Sequence, residues 1–488
     1  MAEQKITYNR AKLWQIGGFA MNNAATNLYL FAMNFIVYYL NGALGVVTIV
    51  ATSLLTVMRV WDAVTDPFLG FVVDRTTTKF GKNRPFMLLG NLIMAISLFL
   101  MVFVSHHLPK FLQFAGFIVF YLIYVVGYTF QCIATKSGQS CLTNDPKQRP
   151  LFTVFDGLYV TIVFSVLPIL FTSTLMKKHG GFTISYFQNV WFIIAPVSLI
   201  LTCIAIFSLA SKDKPENFGT GKQEKVNFKD YWDVLRHNRA IQMLVVSAST
   251  DKLALQTQGN ATVGVIIYGI ICGNYALNAA LNAYTSVPTF LFLLFGAGWI
   301  ATRLGQKKAM LFGTYGSLAC CVLIALLFYV GNPTTMSYPG FEGFHGWTFF
   351  SLAFMILWIG FKGFSGISGN IVLPMIADCT DYEVYRSGRY VPGLMGTLFS
   401  LVDKVVSSLA TTVVGIMCAM IGFADVLPTP DTPLTPALKF VGVFGLCGLT
   451  IIGLIANIIA MKFYPLTGEK MKEIQAEVAA IKAKAAVK

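Results

Sequence analysis

Three charged residues within one long apolar segment carry the strongest chemical signal in this sequence. Arg59, Asp62 and Asp66 lie in residues 53–73, a run long enough to cross a bilayer. Their spacing of i, i+3 and i+7 places them on one face of a helix. Two carboxylates one turn apart repel each other unless a cation or proton lies between them. The segment therefore predicts a cation or proton site, and the alternative is a structural ion pair in which Arg59 neutralises one aspartate.

A hydrophilic turn with four basic side chains follows this segment, between residues 74 and 84. Basic residues in short loops mark the cytoplasmic side of a membrane protein. Movement of one half of a carrier against the other needs inner contacts that form and break. We predict that such gating contacts involve Asp74, Arg75 and Lys79 on this turn, opposed by Asp378 and Asp381 at the end of a later helix.

The composition is that of a membrane protein. Of the 488 residues, 56% are hydrophobic, whereas a soluble domain has roughly 45–50% apolar residues. This excludes a soluble enzyme with a single anchor. The net charge of +14 could suggest a nucleic-acid partner, but the basic residues cluster in short loops between apolar runs. Membrane orientation and anionic headgroups explain them better. The nine cysteines lack metal-ligand spacing and are interpreted as small buried hydrophobes, so no structural metal is expected.

Apolar runs of membrane-spanning length recur along the whole chain. A spanning helix needs roughly 20 apolar residues, and the sequence predicts twelve such helices. They cover residues 13–40, 46–73, 85–105, 111–141, 151–175, 186–210, 241–272, 284–301, 309–330, 347–377, 394–421 and 438–463. The fold class expected from this pattern is an all-α integral membrane protein.

One long polar stretch divides the predicted helices into two sets of six. We predict an N-terminal six-helix bundle at 1–210, a cytoplasmic linker at 211–239, a C-terminal six-helix bundle at 240–464 and a cytoplasmic tail at 465–488. The basic turn TRLGQKK after the eighth helix echoes the basic turn after the second, as corresponding members of a duplicated transporter would. Both termini are then cytoplasmic.

Three sequence blocks resemble a known family. They read VMRVWDAVTDPFLGFVVDRTTTKFGKNRPFMLLG at 57–90, ADCTDYEVYRSGRYVPGLMGTLFSLVDKVVSS at 377–408 and, more loosely, YTFQCIATKSGQSCLTNDPKQRP at 128–150. In combination they resemble the glycoside–pentoside–hexuronide:cation symporters, the melibiose-permease-like branch of the major facilitator superfamily. The resemblance extends over nearly the whole chain by helix count and spacing. It implies the major facilitator fold, two bundles of six helices.

The resemblance also implies positions for two sites. The family's cation lies between the second and fourth helices, and oxygen ligands of the kind found there suit sodium or a proton. The corresponding residues here are Asp62, Thr65, Asp66 and Thr129. Near both the cation and the substrate the family has a lysine, here Lys404, with Ser400 one turn before it. Asn22 falls where the family can carry a sugar-binding acid.

The fourth and fifth helices depart from the melibiose-type pattern. Cys132 replaces an aspartate, Lys136 replaces a tryptophan that stacks on sugar, and Asp156 aligns with an arginine. The later block also reads Asp-Tyr-Glu without the family's glycine. These changes remove one acidic cation ligand and alter the charge of the sugar site. They leave the choice between Na⁺ and H⁺ open and argue against melibiose itself as the substrate.

Charged residues recur in the other apolar runs. Lysines and aspartates nearly balance: Lys136, Asp156, Asp251, Lys252, Lys362, Asp403 and Lys404. One interpretation is interhelical ion pairs such as Lys136–Asp156, and the other is a hydrated substrate path. Four lysines favour an acidic sugar such as a uronide over a neutral galactoside. That preference disappears if the three aspartates neutralise their lysine neighbours.

The predicted function is secondary active transport of a sugar-like solute with Na⁺ or H⁺ by alternating access. A membrane enzyme is disfavoured because no Ser/His or metal-ligand constellation occurs, and no phosphate-binding Gly-rich loop supports ATP-driven transport. No cofactor is expected apart from the coupling ion. The alternative is an uncoupled carrier, or a lipid or drug carrier of the same superfamily. The protein is expected in the cell membrane, surrounded by the lipid bilayer, as a monomer.

Overall fold

The computed structural model is predominantly helical in the part of the chain that it describes. That part comprises residues 10–76, 78–143, 148–214, 236–339, 346–387, 392–471, 473–474 and 477. Within these ranges the only strand-like feature is an isolated bridge between Thr78 and Gly81. The predicted all-α class is confirmed.

The helices before residue 210 belong to a first compact unit, which spans Met1–Gln223 and also includes Phe423–Leu427. Its helices are α1 (Leu13–Met33), α2 (Ile36–Gly42), α3 (Thr48–Arg75), α4 (Arg84–Phe99), α5 (Lys110–Leu142), α6 (Arg149–Pro168), α7 (Met176–His179) and α8 (Ile184–Leu209). Two wider π-helical segments, Leu100–Val104 and Ile169–Leu175, continue α4 and α6.

The second compact unit spans Glu224–Gly422 and Pro428–Lys488. Its helices are α9 (Arg239–Gln258), α10 (Ala261–Gly264), α11 (Ala276–Leu304), α12 (Gln306–Val330), α13 (Phe349–Ser387), α14 (Pro392–Met420), α15 (Pro436–Val443) and α16 (Leu449–Phe463). The π-helical segments Val265–Ile271 and Phe444–Gly448 follow α10 and α15.

Nine helical segments of the described chain are long and apolar enough to cross a bilayer. A tenth is added if Ala261–Ile271 and Ala276–Leu293, which meet at 109°, form one broken span. The helices α1 and α9 have 21 and 20 residues, which is sufficient length, but both contain several polar side chains. The number twelve therefore remains a prediction, as does the division at residues 210, 239 and 464.

Three predicted boundaries are wrong. The seventh helix is interrupted at Gly259 and Asn260, where the Asn260 side chain caps the next turn by accepting from the backbone N–H of Thr262 at 2.9 Å. The eighth begins at Ala276 rather than 284, because the side chain of Asn274 accepts from the Ala276 N–H at 2.9 Å. The tenth continues ten residues beyond the predicted end at 377, to Ser387, so Asp378 and Asp381 lie within a helix.

Each unit has its own apolar core. In the first, side chains of α1, α3, α4, α5, α6 and α8 surround fully buried residues such as Ile16, Phe19 and Met87. In the second, the core includes Ile241, Met310 and Met375 together with Met471 and Ile474 from the predicted tail. The described part of the tail therefore packs against the second unit through its apolar side chains.

Candidate cation and substrate sites

The carboxylate of Asp62 links two membrane helices of the first unit. Asp62 lies in the middle of α3 and is 4% exposed, and Thr129 on α5 is fully buried. The Thr129 hydroxyl donates a hydrogen bond of 2.9 Å to Oδ1 of Asp62. A buried carboxylate needs such polar partners because the apolar interior replaces none of its lost hydration. Two of the four predicted cation ligands are thereby brought together.

The other two predicted ligands, Thr65 and Asp66, lie on the same face of α3 as Asp62. Asp66 is half-buried one turn beyond Asp62. The hydroxyl of Thr65 donates to the backbone carbonyls of Trp61 at 3.0 Å and Asp62 at 3.2 Å, which leaves its oxygen lone pairs as the group able to face a cation.

Arg59 lies one turn before Asp62 on α3, at an exposed position. It is within electrostatic range of Asp62 and of three α5 tyrosines, Tyr121, Tyr124 and Tyr128. The tyrosines follow one face of α5, with ring centroids 5.9 Å apart for the first pair and 6.5 Å for the second. The positive charge of Arg59 therefore acts on both a carboxylate and a row of phenolic groups.

A second polar cluster in the first unit joins α1, α5 and α6. Asn22 is fully buried, and its Nδ2 donates to the hydroxyl of Thr135 at 2.7 Å, while its Oδ1 is buried without a hydrogen-bond partner among the described residues. Asn23, the next residue on α1, hydrogen-bonds to the side chain of Asp156 on α6. Oδ1 of Asp156 is also buried without a partner in the described part of the chain. The cluster thus offers two acceptor oxygens to a ligand.

The neighbours of this cluster on α5 are Cys132 and Lys136. Cys132 is half-buried and interacts with the hydroxyl of Tyr128. Lys136 is exposed and makes no ion pair with Asp156 in the described structure, where Asp156 is held by Asn23 instead. The predicted ion pair between Lys136 and Asp156 is therefore wrong.

Two of the predicted lysines of the second unit have defined partners. The ammonium of Lys252 on α9 lies 3.5 Å from Oδ2 of Asp403 on α14, as the interpretation of interhelical ion pairs expects. Lys362 on α13 donates to Oε1 of Gln258 at 3.1 Å and lies 4.8 Å from the centroid of the Trp358 ring. Amide and aromatic groups rather than a carboxylate therefore hold this second lysine.

The remaining predicted substrate residues are Asp251, Lys404 and Ser400. The side chain of Asp251 accepts a hydrogen bond from Nδ2 of Asn457 on α16. Lys404 is half-buried on α14 beside Asp403, and its backbone carbonyl accepts from the Ser407 hydroxyl at 3.2 Å. Ser400 lies on the same helix, and its side chain is outside the described residues.

The predicted gating residues lie near the ends of α3 and α13. Arg75, the last residue of α3, is exposed, with its guanidinium 4.1 Å from the centroid of the Phe71 ring. Lys79 is exposed in the turn, and the side chain of Asp74 is outside the described residues. Asp378 on α13 hydrogen-bonds to Gln306 at the start of α12 and is in electrostatic contact with Asp381. Their role as opposing gates remains a prediction.

The sequence interpretation missed Asp213, which it assigned to the linker. Its carboxylate has no exposed surface and lies at the N-terminus of α4. It accepts from the backbone N–H of Asn83 at 3.0 Å, from the backbone N–H of Arg84 at 3.1 Å and from Nδ2 of Asn83 at 3.1 Å. Nε of Arg84 lies 3.5 Å away. In the sequence, Asp213 is distinguished only by its position shortly after an apolar helix, and that position does not indicate that its carboxylate is buried.

One further hydrogen-bonded contact joins helix ends in each unit. In the first, Gln148 accepts from the backbone N–H of Ala11 at 2.9 Å and donates to its carbonyl at 2.8 Å. In the second, Oε2 of Glu383 on α13 accepts from Nδ2 of Asn238 at 2.8 Å, directly before α9. Both contacts connect the chain that enters a unit's first long helix to the terminus of another helix in the same unit.

Comparison with known proteins identifies the family of this chain. A family model described as MFS/sugar transport protein matches residues 18–468. The glucuronide carrier protein homolog of Escherichia coli (strain K12) is 24% identical over 478 residues, which cover 96% of each chain. The isoprimeverose transporter of Lactiplantibacillus pentosus is 20% identical over 413 residues, covering 83% of this chain and 80% of that protein.

The chain is also similar to a solved structure. The crystal structure of the nucleoside transporter NupG superposes with a TM-score of 0.62 at 12% identity, covering 93% of this chain and 100% of that one. At this identity the likeness concerns the fold alone.

Proposed function

Because this chain belongs to the MFS/sugar transport protein family, among the glycoside–pentoside–hexuronide:cation symporters, we propose that it imports a sugar or glycoside by symport with Na⁺ or H⁺. The protein is a multi-pass membrane transporter and not an enzyme. The charge arguments below favour a hexuronide as the sugar, and the relative from Escherichia coli is named for a glucuronide.

The observation that carries the proposal is the contact between Asp62 and Thr129. A carboxylate buried in the middle of a membrane helix is costly in free energy unless a cation or proton balances it. Here the carboxylate has a hydroxyl partner on a second helix and another carboxylate, Asp66, one turn away. Oxygen groups in this number suit a hard cation, and the two carboxylates equally suit a proton.

The polar cluster around Asn22 is the proposed sugar subsite. Sugar hydroxyls both donate and accept hydrogen bonds, so they need acceptors that no protein group already uses. Oδ1 of Asn22 and Oδ1 of Asp156 are such acceptors in the described part of the chain. Leaving them unsatisfied would cost about 1–3 kcal/mol each, which a bound hydroxyl offsets.

The topology supplies the rest of the proposal. We infer a cell-membrane location with both termini in the cytoplasm, since the basic turns between 74 and 84 and between 302 and 308 mark the inner side. The two predicted six-helix bundles would alternate access to the site, and the carrier would act as a monomer in the bilayer.

Uptake into proteoliposomes tests this function. The purified protein is supplied in turn with neutral glycosides, uronides and a lysophospholipid, under a sodium gradient, a proton gradient or neither. Accumulation of a sugar that depends on one ion gradient supports symport and identifies the ion. Sugar equilibration that ignores both gradients indicates an uncoupled carrier. Transport of the lipid without any sugar would overturn the proposal.

The first prediction concerns substrate charge. We expect a uronide to displace bound substrate about tenfold better than its neutral parent sugar, because an attraction of about 1.4 kcal/mol between an ammonium and a carboxylate changes affinity tenfold and a neutral sugar lacks it. Lys136→Met should erase this preference, since Lys136 has no acidic partner in the described structure and lies one turn from Cys132. Competition binding to the purified protein measures both ratios.

The control for this prediction is Lys178→Met, which removes an exposed lysine from α7 outside the polar cluster. It should leave the preference intact. Equal competition by both sugars in the wild type would refute an acidic substrate and leave symport untouched.

The second prediction concerns gating. Arg75→Gln should lower the maximal transport rate several-fold with little change in substrate affinity, because the residue lies at the inner end of α3, away from the polar clusters. Arg75→Lys, which retains the charge, should keep most of the rate. Initial uptake rates at several substrate concentrations separate the two parameters, and a rate unaffected by Arg75→Gln would exclude this residue from the gate.

A further inference from the structure

Asp251 and Asn457 form an isolated polar pair inside the second unit. Asp251 lies midway along α9 and Asn457, which is fully buried, midway along α16. Nδ2 of Asn457 donates to Oδ2 of Asp251. The two other side-chain oxygens, Oδ1 of each residue, are buried and have no hydrogen-bond partner in the described part of the chain. The pair therefore has unused acceptor capacity on both residues.

No cation neutralises Asp251 among the described residues. Its sequence neighbour Lys252 lies 3.5 Å from Asp403, which α14 contributes. From α13, Lys362 is held by Gln258 and by the ring of Trp358. Within the described part of the chain, the electrostatic partners of Asp251 include no lysine or arginine, neither Lys404 of α14 nor Lys462 at the end of α16. Among the residues that the structure describes, Asn457 is its one polar partner.

This environment suits a neutral acid. An ionised carboxylate with one amide partner and no cation loses more hydration free energy than a single hydrogen bond returns. A carboxylic acid has a smaller desolvation cost and brings a donor, its O–H. Asn457 serves both forms: its Nδ2 donates to the carboxylate, and after a half-turn of the amide its Oδ1 accepts from the acid. A lysine or arginine could only donate and would hold the ionised form.

We propose that Asp251 is a proton-binding site of the second unit, separate from the carboxylates of α3. H⁺ adds to a carboxylate oxygen of Asp251, forms the neutral acid, and the new O–H donates to Oδ1 of Asn457; release of H⁺ reverses both changes. Proton binding itself does not depend on which solute is carried. Its part in transport rests on the proposed symport function, to which it adds a proton bound in the second unit.

Infrared difference spectroscopy of the purified protein tests proton binding without any sugar. Spectra are recorded between about pH 5 and pH 9, the range in which a buried carboxyl group titrates. The wild type should show a carbonyl band of protonated carboxylic acid that disappears as the pH rises, and Asp251→Asn should lack that component. Thr250→Ala, next to Asp251 with its hydroxyl bonded to the carbonyl of Val246, serves as the matched control and should retain it. Identical titrating bands in the wild type and Asp251→Asn would overturn the proposal.

Asn457→Leu keeps the carboxyl group and removes its partner. The carbonyl band should then move to higher frequency because the hydrogen bond is lost. A band at the wild-type frequency in Asn457→Leu would contradict the assignment even if Asp251→Asn fails to fold.

Transport provides the second readout. Uptake by the wild type should accelerate as the external pH falls, and Asp251→Asn should lose the component of this dependence that titrates together with the infrared band, while sugar exchange persists. A pH profile of Asp251→Asn that matches the wild type would overturn the role in transport. A preparation that moves no sugar at all would instead contradict the proposed function. It would not affect the infrared test of proton binding at Asp251.

Discussion

Asp62→Asn is expected to abolish accumulation of sugar against its gradient, with the inside-to-outside ratio falling to about 1, while exchange of sugar across the membrane continues. Coupling requires that ion and sugar each raise the other's affinity, so a carrier that binds no ion can only equilibrate its solute. The amide of asparagine has nearly the size of the carboxylate and can still accept from Thr129. The charge that attracts a cation, or takes up a proton, is removed.

Asp66→Asn should have the same effect, because a cation between two carboxylates depends on both of them. Thr129→Val removes one hydroxyl and should weaken ion activation of uptake without abolishing it. The measurement is uptake and exchange in proteoliposomes under an imposed ion gradient. Asp431→Asn is the control, since it removes an exposed carboxylate from the loop before α15 and should accumulate sugar normally.

Normal gradient-driven accumulation in both Asp62→Asn and Asp66→Asn would remove the two aspartates from the mechanism. Loss of exchange as well as accumulation would indicate that the carboxylates hold the fold or the substrate rather than the coupling ion. The comparison of accumulation with exchange therefore distinguishes a coupling role from a structural one.

Asp213→Ala is expected to destabilise the protein by about 3–5 kcal/mol, the usual cost of breaking a buried charged pair. The substitution leaves the backbone N–H groups of Asn83 and Arg84 and the Arg84 guanidinium without their carboxylate. It also removes the negative charge from the N-terminus of α4, where the helix dipole favours one. We expect a lower melting temperature in detergent and less protein in the membrane.

Asp213→Asn keeps one side-chain oxygen as an acceptor and should show a smaller loss. Gly81→Ala perturbs the same contact by adding a methyl group to the turn before α4. Gly81 has φ +100°, and a Cβ there would collide with the Asp213 carboxylate, so this variant should also melt at a lower temperature. Asp431→Ala, an exposed control, should melt like the wild type. Unchanged melting of Asp213→Ala would show that water replaces the carboxylate at this helix end.

The sequence alone determined the class of protein and the position of its most costly charges. Ionisable residues stand out within apolar runs because bilayer-length segments rarely tolerate them, so Asp62 and Asp66 could be identified from hydropathy and helical spacing. The match of three blocks to one symporter family added Thr129 as a partner. The helix ends were less predictable: Asn260 caps a turn inside an apolar run that reads as continuous, and Asn274 starts a helix in a stretch that reads as a connection.

Only the tertiary structure decided which polar groups meet. Lys252 could have paired with any of several aspartates, and the packing of α9 against α14 selected Asp403, 151 positions further along the chain. Asp213 looked like an ordinary linker residue because its burial arises from contact with a turn 130 residues earlier. Asn457, a neutral amide in an apolar helix, carried no signal until α16 was placed beside Asp251. Each case depends on a contact between segments distant in sequence, and local residue patterns report burial and periodicity but not the partner.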